Sequence, residues 1–70
     1  MKENDTFELS QPIEATVIGE QRAVVLSAGT LVTVVSVFGD PDDPVAYEIE
    51  AFLPKEDAYA LATIEARDVA

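Results

Sequence analysis

The side chains in this sequence that could do chemistry are carboxylates. Asp40, Asp42 and Asp43 crowd one short segment, Glu48 and Glu50 stand two residues apart, and Glu56 and Asp57 are adjacent. Such groups can trade protons as an acid–base pair, hold a hard cation through oxygen, or meet Lys and Arg across an interface. Acid–base work needs a water-excluding cleft of roughly 300 Å3 or more, and a chain this short has little interior in which to build one. Cation binding is opposed by spacing. The Asp40-Pro-Asp-Asp-Pro44 segment does not follow the alternating ligand pattern of a calcium loop, and two prolines stiffen it into a solvated turn. There is no His or Cys to serve as base, thiolate or soft ligand. Ser10, Ser27 and Ser36 therefore have no activating partner in view. The chain reads as a non-enzyme with no cofactor and no metal site. The remaining use is docking. Asp40, Asp42, Asp43, Glu48, Glu50, Glu56 and Asp57 are expected to form an acidic stripe that meets a partner's Lys and Arg. The plainer reading of the same residues is the wet face of a half-buried strand with solvated turns at its ends. Tyr47 and Tyr59 read as core or rim packing.

Fourteen acidic residues against four basic ones leave a formal net charge of -10. A charge of that size keeps a protein soluble and opposes contact with nucleic-acid phosphates or anionic lipid. Direct nucleic-acid binding and a membrane role are thus not expected. A protein partner with a basic surface is, and complementary fields would speed its association. Carboxylates spaced like phosphates would also allow nucleic-acid mimicry. The lack of cysteine fits the cytoplasm. The start, Met1-Lys-Glu-Asn-Asp-Thr6, is polar where a secretion signal needs an apolar run. Ala23 to Gly39 carries no charge over 17 residues. That length is at the short limit for a membrane helix, and its Val and Thr content favours strands.

The elements that must position these residues read as short strands. Seventy residues make one domain, with residues 1–6 as a loose lead-in. Phe7-Glu-Leu-Ser10 alternates as a first strand that ends near Pro12. Ile13 to Arg22 reads as a long loop. Ala23 to Gly29 leads to a bend at Ala28-Gly29. Leu31 to Phe38 is the second main strand, with Leu31, Thr33, Val35 and Val37 on one side and Val32, Val34 and Phe38 on the other. Apolar residues on both sides suggest a strand covered on both faces. Gly39-Asp-Pro-Asp-Asp-Pro44 cannot continue a strand, so Val45 to Phe52 folds back as the partner of a β-hairpin. There Tyr47, Ile49 and Ala51 face a core while Glu48 and Glu50 face water. After a turn at Leu53–Asp57, Ala58 to Ile64 adds a strand. Glu65 to Val69 reads as one helical turn and then a closing strand pair. The expected fold is all-β: a small SH3-like barrel of about five short strands with a long first loop. A core this small leaves stability to be gained by chain pairing, so a homodimer is a second expectation.

The residues Gly29…Thr33-Val34-Val35-Ser36-Val37, Tyr47-Glu48-Ile49-Glu50-Ala51-Phe52 and Ala60-Leu61-Ala62-Thr63-Ile64 resemble a family of short bacterial proteins of unknown function. The family's pattern is G-x-x-G-T-V-V, then Y-E-V-E-F, then A-L-x-T-L, and the likeness covers Phe7 to Val69. The chain departs at Val32, where the family has a second glycine, and at Ala51, an extra residue before Phe52. The resemblance implies an SH3-like barrel and a role like that of antitoxin or immunity proteins, with no catalytic residues. Two functions are therefore expected from the sequence. One is an acidic inhibitor that neutralises a protein partner. The other is an assembly module that dimerises or docks onto a larger complex.

Overall fold

The computed structural model describes residues 1–69. They form six strands: β1 Thr6–Glu8, β2 Ile13–Val17, β3 Arg22–Leu26, β4 Leu31–Asp40, β5 Asp43–Leu53 and β6 Ala58–Glu65. A 3-10 turn, Ala66–Asp68, follows. The strands make one antiparallel sheet in the order β1-β4-β5-β6-β2-β3, curled into a half-barrel. The expected small all-β barrel class is thus what the chain adopts, with six strands rather than five. No helix among the described residues is long and apolar enough to cross a membrane.

The β4–β5 hairpin is its spine. Val34 pairs with Ile49 and Val37 with Tyr47, while Thr33 pairs with Glu50 and Ser36 with Glu48. The register shifts between Val34 and Ser36, which leaves Val35 as an extra residue in β4. Such a bulge turns every later side chain to the other face. The expected alternation of β4 is therefore corrected. Val32, Val34 and Val37 face the core side, and Leu31 and Phe38 face out. The strand is not covered on both faces, since Leu31 is 62% exposed. The turn is also tighter than expected. β4 runs on through Gly39 and Asp40, β5 begins at Asp43, and only Pro41 and Asp42 lie between them. Pro44 fits because it falls where the register shifts again, between Phe38 and Gly39.

Ile13 to Arg22 is a correction too. It is no long loop but most of a second hairpin, β2–β3, with all five residues of each strand paired from Ile13↔Leu26 to Val17↔Arg22. Gly19 and Gln21 take positive φ at its turn, which few residue types favour. β2 joins the sheet beside β6 through Thr16↔Leu61 and Val17↔Ala60. The bend at Ala28-Gly29 is present, with Gly29 at a φ of +87°. The Gly29 N–H donates to the Leu9 carbonyl at 2.7 Å and the Leu9 N–H to the Thr30 carbonyl at 2.9 Å, which ties the end of β1 to this corner. The lead-in is likewise bound: the Asn4 N–H donates to the Val34 carbonyl and the Val34 N–H to the Asp5 carbonyl, both at 2.8 Å. The helical turn near the end is present, but no strand pair follows it among the described residues.

The core lies on the concave side. Ile49, Val17, Val32 and Val34 are its largest fully buried side chains, joined by Leu9, Leu26, Tyr47 and three alanines, Ala15, Ala51 and Ala60. Ala51 pairs with Ala60, which in turn pairs with Val17. Small side chains at these positions relieve crowding on the inner face and let the sheet curl. No buried side-chain polar atom among the described residues lacks a partner.

Candidate acidic face

Because side chains alternate along a strand, burying Tyr47, Ile49 and Ala51 turns Glu48 and Glu50 to the outer face. They project about 7 Å apart along β5, as strand rise dictates. Pairing then extends each into a row across the sheet. Thr33, Glu50, Leu61 and Thr16 form one row over β4, β5, β6 and β2. Ser36, Glu48 and Thr63 form the next. Glu14, on the outer side of β2, borders the same shallow recess of about 290 Å3 as Glu48, Thr16, Leu61 and Thr63. Both Glu48 and Glu50 are half-buried by these neighbours. Neither carboxylate takes part in an ion pair among the described residues. Glu14 was not among the residues expected from sequence. Its signal was the Ile13-x-Ala15-x-Val17 alternation, which a loop assignment hides.

The seven expected acidic residues separate into three groups. Asp40, Asp42 and Asp43 stand at the tip of the β4–β5 hairpin, and the Asp40 carboxylate accepts the Asp42 N–H at 2.9 Å, bracing the turn. Glu48 and Glu50 lie in mid-strand. Glu56 and Asp57 lie in the β5–β6 turn, about 30 Å from the first tip by strand length. Ala46 and Phe52 occupy the outer positions between the groups on β5. Glu56 is engaged internally by a hydrogen-bonded ion pair with Arg22 at the start of β3. That bond, with the nearby charges of Glu56 and Glu20, holds the Arg22 guanidinium above its ordinary pKa. Asp57 serves the turn with a φ of +50°. Among the described residues no three acidic side chains converge as a metal-holding group.

Beyond Glu50 the outer face turns apolar. Phe52 and Tyr59 pair across β5 and β6 with ring centroids 5.1 Å apart at 55°. Tyr47 is in the core, as expected, while Tyr59 is 46% and Phe52 47% exposed. Leu31, two residues before Thr33, lies toward the same end, and the Ile18 N–H donates to the Tyr59 carbonyl at 2.9 Å. A separate cavity of about 180 Å3 is lined by Phe7, Leu9, Ile13, Ile64 and Val69 together with polar Glu8, Gln11, Glu65 and Asp68. That is below the roughly 300 Å3 at which small-molecule sites begin.

No protein-family model, curated protein or solved structure matches the chain.

Proposed function

We propose that the protein is a non-enzymatic binding protein whose outer sheet face, centred on Glu48 and Glu50, engages the basic surface of a protein partner and neutralises it. The observation that carries this reading is the placement of both carboxylates on the middle of β5, turned from the core and joined by Glu14. A half-buried charge with no cation beside it interacts more strongly with an incoming Lys or Arg than a fully solvated one does. The net charge of -10 adds long-range attraction for such a partner. The resemblance drawn from the sequence, to a family of short bacterial proteins of unknown function, implies an antitoxin- or immunity-like role and is in keeping with an inhibitor.

Affinity purification from the native cell tests the proposal, using wild type and Glu48→Lys/Glu50→Lys. The wild type is expected to capture a basic protein at low salt and to release it as screening shortens the reach of the charges, toward about 0.5 M. The double variant should show the same circular dichroism and capture nothing. Undiminished capture of the same protein by the folded double variant would overturn the reading. A second reading, self-association as an assembly module, is favoured by the exposed Leu31 and Phe52. Light scattering across a concentration series, with Leu31→Asp as control, separates the two.

A further inference from the structure

We infer that the apolar strip of Leu31, Phe52, Tyr59 and Ile18 is the anchor of the acidic face, and that it takes a protein segment whose apolar side chains are interleaved with Lys or Arg. The inference rests on the reading above and adds the chemistry of the bound segment. These four side chains are 62%, 47%, 46% and 51% exposed, so none of them holds the core. They nevertheless lie together at one end of the outer face, and Phe52 and Tyr59 already pack ring against ring. Rigid aromatic pairs of this kind are what interfaces use as anchors, because little side-chain freedom remains to be lost on binding.

The strip does not stand alone. Glu50 is two residues from Phe52 on β5 and pairs with Leu61, itself two residues from Tyr59 on β6. Glu8 pairs with Leu31 at the β1 edge. Glu50 thus stands about 7 Å from the apolar row and Glu48 about 13 Å, one and two repeats of a strand's outward side chains, while Glu8 lies directly opposite Leu31 in the row. The occupant that matches is a segment presenting apolar groups to the strip and cations to Glu50, Glu48 and Glu8. A second copy of this chain would bring apolar groups to the strip but matches it less well. It carries the same -10 charge and would set like charges against each other beside the strip.

The test uses two synthetic peptides of equal length and charge, one alternating Lys and Leu, the other alternating Lys and Ser, with binding followed by calorimetry at low salt. Wild type is expected to bind the Lys–Leu peptide about tenfold more tightly than the Lys–Ser peptide. Phe52→Ser/Tyr59→Ser should remove that preference while leaving Lys–Ser affinity in place. Leu31→Ser serves as a second variant should the double one lose its circular dichroism. Glu48→Gln/Glu50→Gln should weaken both peptides. No preference in wild type, or a preference kept by the folded strip variants, would overturn the anchor. Loss of affinity in the glutamine variant would then still support the acidic face, so the two readings fail separately. Self-association abolished by Phe52→Ser would assign the strip to a second copy and would also overturn the inference.

Discussion

A β-carbon on Gly39 would lie 2.4 Å from Cγ2 of Val45 and 3.1 Å from its backbone nitrogen, at a φ of +93°. Two costs therefore meet at this position, a left-handed backbone and a steric collision with a stiff β-branched side chain. At Gly29 the φ is +87°, but among the described residues nothing beyond its chain neighbours lies within 4 Å of where a β-carbon would sit, so only the backbone cost applies. Gly29→Ala is expected to lose about 1 kcal/mol and Gly39→Ala at least twice that, read from urea unfolding. Equal losses would show that Val45 moves aside freely. Other residue roles were legible in part. The bend at Gly29 could be read from the small Ser27-Ala28-Gly29 segment between two Val-rich runs. The role of Glu56 could not, because its partner Arg22 is 34 residues away and approaches only through the fold.

At the scale of elements, β5 is the strand whose pattern shows best, because its burial alternates strictly from Tyr47 to Ala51. Its ladder is completed on both sides by β4 and β6, so Ile49 is fully buried. Ile49→Ala is expected to cost about 2–5 kcal/mol, whereas Val25→Ala on the exposed edge strand should stay within about 0.5 kcal/mol. Thermal unfolding of the two variants checks the contrast. The self-association control is placed at exposed Leu31 because a carboxylate at a fully buried position of the same strand, such as Val34, is expected to unfold the chain. The β2–β3 hairpin escaped the sequence reading because its strands have five residues each and its turn, Ile18-Gly19-Glu20-Gln21, carries no Asn-Gly or Asp-Gly signal. The bulge at Val35 was equally hidden. Its neighbours are apolar on both sides, so a slip of one residue leaves no break in the pattern.

Over the whole molecule, a marginal core works against a large like-charge repulsion. A domain of this length is stabilised by roughly 4–10 kcal/mol, while its net charge of -10 opposes compaction. Added salt screens that repulsion. The melting temperature is therefore expected to rise by several degrees between about 0.01 M and 0.5 M sodium chloride, as scanning calorimetry would record. A fall would mean that local pairs such as Arg22 with Glu56 outweigh the general repulsion. The class of fold follows from local properties: β-branched runs, prolines between strands at Pro12, Pro41 and Pro54, and a strict alternation that turns Glu48 and Glu50 outward. These depend on neighbours in the chain, so the residues themselves determined them. Which carboxylates share a face was decided only by strand order and register. Placing β2 beside β6 brings Glu14 to Glu48, and pairing β6 with β5 sets Tyr59 against Phe52 beyond Glu50; no local rule specifies either pairing.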